Sequence, residues 1–165
     1  MESLSKKSDG TEFVSIGIGT NLGDRANNIR QAVEALRNNS NITIVKSSEI
    51  IETEPWGNIN QPSFLNSIIV VTTSLSPIEL LNYLKSLESK SGRVKSEHWG
   101  PRIIDLDILL FGKRVVQDKK LVIPHKEITN RNFILKQLID LDPELMEPVT
   151  NIRYVDYLKK LKEDY

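Results

Sequence analysis

Apolar positions recur with two periods along the chain: every second residue in some stretches, every third or fourth in others. The switches between the two mark out its elements. Phe13–Gly19 reads as a short strand, in which Gly17 and Gly19 permit close approach of a neighbour or a ligand. A loop follows with Asp24 placed to cap a helix over Arg25–Asn38, whose buried stripe is Ile29, Ala32, Val33 and Leu36. Ile42–Thr53 is strand-like and runs into a long turn-rich connection, Glu52–Pro62, that carries Trp56. Phe64-Leu65-Asn66 leads into Ser67–Thr73, a β-branched run suited to a central strand covered on both faces. Ser76-Pro77-Ile78-Glu79 is a capping box with proline at the first helical position. It opens a helix to about Ser91, with Leu80, Leu81, Leu84 and Leu87 inward and Gly92 as its stop. Lys85 and Glu88 lie off that stripe and read locally as solvated charges.

Ile103–Phe111 alternates strictly: Ile104, Leu106, Ile108 and Leu110 on one face, Asp105 and Asp107 on the other. A hairpin follows, Arg114–Val116 with Leu121–Ile123, closed by Pro124-His125. Asn130 stands ready to cap a helix over Arg131–Leu141 with Ile134, Leu138 and Leu141 inward; Asp142-Pro143 ends it, and Tyr154–Lys162 is a last short helix. The order predicts an α+β domain: a ferredoxin-like β-α-β-β-α-β antiparallel sheet with helices on one face, plus a C-terminal hairpin and two helices. The other face is left for loops and ligands. Residues 13–165 form a single domain on this reading, and residues 1–12 a polar, disordered extension.

The acidic strand carries the first chemistry. Residues two apart on a strand sit ~6.5–7 Å from each other, so Asp105 and Asp107 project side by side from a stiff element near the middle of the sheet. Like charges held so are costly unless a cation joins them, and hard oxygen donors at this spacing suit Mg²⁺. An edge strand with a wet face and two solubilising aspartates is the competing reading. The flank adds weight to the cation: Arg93, Lys95, His98 and Arg102 lie in the loop before the strand, with Trp99 ahead of the Gly100-Pro101 turn. A basic loop feeding an acidic strand is suited to neutralising phosphates. Asn66 offers donors and an acceptor to a heterocycle, or simply caps a turn. A lone His125 after a strand is more often structural, and the Gly19–Gly23 loop lacks the lysine of a nucleotide-cradling motif.

Composition narrows the classes. Lys plus Arg number 22 and Asp plus Glu 22, so no net field favours nucleic acid or an anionic membrane. There are 0 cysteines, which excludes disulfides and thiolate sites. Without a signal-like start or a membrane-length apolar run, the expectation is a cytoplasmic protein.

Trp99-Gly100-Pro101-Arg102, with Asp105-Leu106-Asp107-Ile108 following, resembles the signature of the 6-hydroxymethyl-7,8-dihydropterin pyrophosphokinase family. The resemblance extends from Phe13 onward through Gly19–Gly23, Gln61–Asn66, Pro124-His125 and Asn130-Arg131-Asn132-Phe133. It implies a diphosphotransferase of folate biosynthesis that moves pyrophosphate from ATP to a reduced pterin and releases AMP. Asp105 and Asp107 would hold two Mg²⁺ ions, and Arg93 and Arg102 would act in catalysis by neutralising the phosphates. Glu88, Lys95, His98, Arg102, Ile108, Lys120, His125 and Arg131 would seat ATP. Thr53, Trp56, Phe64, Asn66, Trp99 and Phe133 would contact the pterin, its ring lying between Phe64 and Phe133. The implied partners are ATP and 6-hydroxymethyl-7,8-dihydropterin, with no nucleic acid, no membrane and a monomeric chain. His98 stands where the family has arginine or lysine, Glu54 where proline is common, and Lys120 where arginine is expected; histidine titrates near neutrality, and lysine keeps the charge but lacks the guanidinium fork. Two other classes share parts of the pattern. A single-strand RNA reader would need aromatics and basic residues on the sheet face, which here carries aspartates. A different Mg-dependent phosphoryl transferase or nuclease would use the same acidic pair but yield another product.

Overall fold

The computed structural model describes residues 4, 11–55, 57, 60–91 and 103–163. Among the described residues, seven strands and four α-helices follow in order: β1 (Phe13–Thr20), α1 (Arg25–Arg37), β2 (Ile42–Ser47), β3 (Ile51–Thr53), β4 (Phe64–Thr73), α2 (Pro77–Lys90), β5 (Asp105–Phe111), β6 (Val116–Gln117), β7 (Val122–Ile123), α3 (Asn132–Leu141) and α4 (Tyr154–Glu163). The main sheet runs β2-β4-β1-β5, antiparallel at each junction, with β3 continuing along β4. This is the expected ferredoxin-like order, with β4 and β1 central. No helix among the described residues is long and apolar enough to cross a membrane.

The caps form as their residue types dictate. Asp24 accepts the Asn27 N–H at 3.1 Å, and Ser76 and Glu79 close a reciprocal capping box. The side chains of α1 and α2 pack Ile29, Leu36, Leu80 and Leu84 against Val14, Ile16, Ile69, Leu106 and Ile108 on one face of the sheet. On the other face, α3 and α4 bring Ile134, Leu135, Leu138 and Tyr154 onto Phe13, Ile68, Val70, Leu109 and Leu110. That face is therefore half covered, and the uncovered half becomes the cavity described below.

Several local expectations are corrected. Leu110 leaves the face of Leu106 and Ile108: Ser15 pairs with Leu110 but Ile16 with Ile108, so Leu109 is a bulge that reverses the alternation. Leu109 and Leu110 thus both serve the α3–α4 core. β5 is also the last strand in the order, not a middle one. Ile42–Thr53 is not one strand. It breaks after Ser47, and the Ser48 hydroxyl takes the Ile68 N–H at 2.7 Å in place of a strand carbonyl. Asn130 does not cap α3; it ends a 3-10 turn over Ile128–Asn130, and the helix starts at Asn132 with no side-chain cap. Gly92, expected to stop α2, lies outside the described residues; the last helical residue is Lys90, with Ser91 as cap. Within the N-terminal stretch expected to be disordered, Leu4 is 4% exposed in the α3–α4 core, and its N–H donates to Asp142 Oδ2 at 3.0 Å. One aliphatic side chain and one buried carboxylate are enough to fix that point.

Candidate active site

A cavity of about 770 Å³ opens on the uncovered half of the sheet, within the ~300–1,000 Å³ common for small-molecule sites. Its floor follows from strand register. Asn66 on β4, Gly19 on β1 and Asp105 on β5 are direct cross-strand neighbours, and Ile68, Gly17 and Asp107 form the parallel row beside them. With strands ~4.8 Å apart, Asn66 and Asp105 stand roughly 10 Å from each other across a glycine. The glycines keep this gap open: a Cβ on Gly19 would lie 3.1 Å from Asn66 Oδ1 and 3.7 Å from Phe64.

Asp105 and Asp107 both line the cavity and are half-buried. β5 is an edge strand, as the competing reading held, but its acidic face lines a cavity rather than a flat solvated surface. The strand is well anchored. The Ile103 carbonyl accepts from Thr20 Oγ1 and, at 3.2 Å, from Asn28 Nδ2. The Leu106 N–H, between the two aspartates, donates to Glu88 Oε1 at 2.9 Å. Glu88 is thus not a solvated charge. It is 1% exposed, because α2 crosses under β5 and the carboxylate satisfies an edge amide. Lys85, four-square with solvent on its outer side at 51% side-chain exposure, reaches Glu88 Oε2 at 3.4 Å and also borders the cavity.

The opposite wall comes from the turn after the hairpin and from α3. The bulged Leu109 offers its carbonyl to the His125 N–H at 2.9 Å, which sets His125 at the cavity beside the acidic strand. Burial, then the Arg131 guanidinium, lowers the His125 pKa below its ordinary value, and Nδ1 accepts the Glu127 N–H at 3.2 Å. The ring is therefore neutral near pH 7, with its other nitrogen carrying the proton. Arg131 is lowered by burial and raised by Glu127, Asp107 and Asp105, a cation facing the acidic pair. Phe133, one residue into α3, and Phe64, at the start of β4, both border the cavity. The Asn66 amide donates to Thr53 Oγ1 at 2.5 Å, so the two polar groups expected on this side act as a pair.

Thr53, Phe64, Asn66, Asp105, Asp107, His125, Arg131 and Phe133 therefore meet in one cavity. Ile108 does not join them: it is 3% exposed in the α1–α2 core, so any contact from it would come from backbone alone. Lys120 sits exposed on the hairpin, its N–H on Asp118 Oδ1 at 2.9 Å, and does not line the cavity. Trp56, Arg93, Lys95, His98, Trp99 and Arg102 lie outside the described residues. Sequence reasoning missed Gln137 on α3 and Lys162 on α4, both at the cavity. Gln137 had a usable signal, a polar residue inside an otherwise aliphatic helix face.

The donor set fits a hard divalent cation of the open kind. Two carboxylates share one face, and no cluster of three or more His, Cys, Asp or Glu occurs among the described residues. Such a pair leaves most coordination positions to water and phosphate, as Mg²⁺ prefers.

The family model described as 7,8-dihydro-6-hydroxymethylpterin-pyrophosphokinase matches residues 15–143. A Bacillus subtilis 2-amino-4-hydroxy-6-hydroxymethyldihydropteridine pyrophosphokinase is 38% identical over 136 residues, 82% of this chain and 81% of its own length. The Pneumocystis carinii folic acid synthesis protein fol1 is 38% identical over 157 residues, 95% of this chain but 21% of its own length. Among solved structures, an HPPK-DHPS in complex with substrates superposes with a TM-score of 0.72 at 17% identity, over 92% of this chain and 44% of that one. A Plasmodium falciparum HPPK-DHPS with pteroate gives 0.70 at 19% identity, over 93% and 43%. At such identities the two structures speak to fold alone. The chain spans most of the bacterial relative, about a fifth of the fungal one and under half of the solved chains.

Proposed function

This chain belongs to the 7,8-dihydro-6-hydroxymethylpterin-pyrophosphokinase family, and from that premise we propose that it moves the pyrophosphoryl group of ATP onto 6-hydroxymethyl-7,8-dihydropterin. One juxtaposition carries the reading: Asp105 and Asp107 face the same cavity as Asn66, Phe64 and Phe133. An acidic end suited to metal-bound phosphates and an aromatic end suited to a flat ring stand on one floor. In the reaction the hydroxymethyl oxygen bonds to the β-phosphorus of ATP. The bond from that phosphorus to the oxygen bridging the α-phosphate breaks, AMP leaves with that oxygen, and the hydroxyl proton is released.

The protein's part is positioning and charge. Asp105 and Asp107 would hold two Mg²⁺ ions, which supply charge neutralisation along the triphosphate. Arg131 adds a fixed cation beside them, and Arg93 and Arg102 are assigned the same task from the basic loop. His125, neutral and half-buried, can donate one hydrogen bond to the nucleotide without adding charge. Glu88 supports ATP from beneath, through the backbone of β5, rather than by touching it. Thr53 and Asn66 would meet the polar edge of the pterin, with the Phe64 and Phe133 rings excluding water from its faces.

Incubation with ATP, Mg²⁺ and the reduced hydroxymethylpterin tests the reading. AMP is expected in equal amount to pterin diphosphate, and chelation of divalent metal is expected to stop it. Formation of ADP, or no turnover, refutes the activity. Asp107→Ala is expected to lose orders of magnitude in rate at an unchanged melting temperature; near-wild-type turnover in that variant refutes the role of the acidic pair.

A further inference from the structure

Position 137 is unusual on α3. The other inward residues are Ile134, Leu135, Leu138 and Leu141, whereas Gln137 is 4% exposed. A buried amide costs free energy unless its hydrogen bonds are made, and leucine would fill the same space without that cost. Gln137 spends the amide on three separate backbones or side chains. Nε2 lies 3.3 Å from Ser48 Oγ, 3.2 Å from the Glu49 carbonyl and 3.2 Å from the Asn66 carbonyl. Ser48 in turn replaces a strand carbonyl for the Ile68 N–H at 2.7 Å and lies 3.3 Å from Ser67 Oγ.

This node sits at the break between β2 and β3. It joins the two walls of the aromatic end of the cavity. Phe133 is one helical turn before Gln137 on α3, and Asn66 lies on β4. The amide gives α3 a polar tie to β4 beside the cavity. We infer that Gln137 is a positioning residue for the heterocycle: its amide sets the spacing and tilt of Phe133 relative to Asn66, and so governs affinity for the flat ring. The inference rests on the reading of this cavity as the pterin site. The acidic end is anchored separately, by Glu88, Thr20 and Asn28, so it does not depend on this node.

Gln137→Met keeps length and volume but removes both N–H donors, and Ser48→Ala removes one of the amide's three acceptors, together with the acceptor of the Ile68 N–H, while leaving α3 unchanged. Steady-state kinetics with each substrate varied in turn, beside thermal unfolding, provide the test. For Gln137→Met the KM for the pterin is expected to rise roughly tenfold, the scale of about one lost hydrogen bond in the site, with the KM for ATP within about twofold of wild type. Ser48→Ala is expected to move the pterin KM in the same direction by less, and it decides the matter if Gln137→Met does not fold. A folded Gln137→Met with wild-type pterin KM overturns the inference. So does a rise of equal size for both substrates, which would mark general loss of structure. If the wild type turns over no pterin, the site reading fails and the inference with it; if the wild type is active and the variants match it, the inference alone fails.

Discussion

Replacing Glu88 by leucine asks whether the acidic strand depends on a carboxylate that never reaches the cavity. Glu88 Oε1 accepts the Leu106 N–H at 2.9 Å, and the residue is 1% exposed. Its pair with Lys85, at 3.4 Å, is screened because the lysine side chain is 51% exposed, so the backbone bond is the larger contribution. Glu88→Leu removes that acceptor and strands a buried edge amide, a loss of about 1.5–3 kcal/mol for a hydrogen bond to a charged group. For a chain of this size each kcal/mol lowers Tm by about 2–4 °C, which gives a drop of about 3–12 °C. Glu88→Gln retains a carbonyl oxygen at the same place and is expected to lose less than half as much. Because Leu106 lies between Asp105 and Asp107, Glu88→Leu is also expected to reduce turnover at temperatures where it is fully folded, and Glu88→Gln to reduce it less. Circular dichroism melts run beside the AMP assay measure both. Equal melting temperatures for wild type and Glu88→Leu, or identical behaviour of the two variants, refute the reasoning.

Three further outcomes follow from particular contacts. Gly19→Ala places a Cβ 3.1 Å from Asn66 Oδ1 and is expected to raise the pterin KM several-fold with little change for ATP; an unchanged pterin KM would show that Asn66 yields freely. Tyr154 is 0% exposed, and its hydroxyl has no hydrogen-bond partner among the described residues. Tyr154→Phe is therefore expected to leave stability unchanged or raise it by up to about 1 kcal/mol in urea unfolding, and a clear loss would refute this. His125 is held below its ordinary pKa of 6.5. Between that lowered value and 6.5 the unfolded chain binds a proton that the folded one refuses, so stability falls as pH drops through this window and is level above it. His125→Gln is expected to flatten that decline in urea midpoints taken from neutral to mildly acidic pH; equal slopes in the two proteins would refute the assignment.

Much of the fold was legible because its signals are local. Asp24 and the Ser76–Glu79 box announce helix starts through bonds made within one turn, and the alternation of Asp105, Leu106 and Asp107 states which side chains share a face. The acidic pair and the order of elements were therefore readable from residue types alone. Three things were decided only by tertiary structure. Glu88 looked solvated because its own helix offers it only the exposed Lys85; the N–H that buries it comes from β5. The face of Leu110 depended on a bulge opposite Ser15, and a bulge is a property of the pairing rather than of either strand. Gln137 stands out as a polar residue on an aliphatic helix face, but its partners come only from α3 closing over the gap between β2 and β3. Periodicity reports which residues face inward, but the chemistry of a buried polar group is set by the groups brought to meet it, and those lie far along the chain.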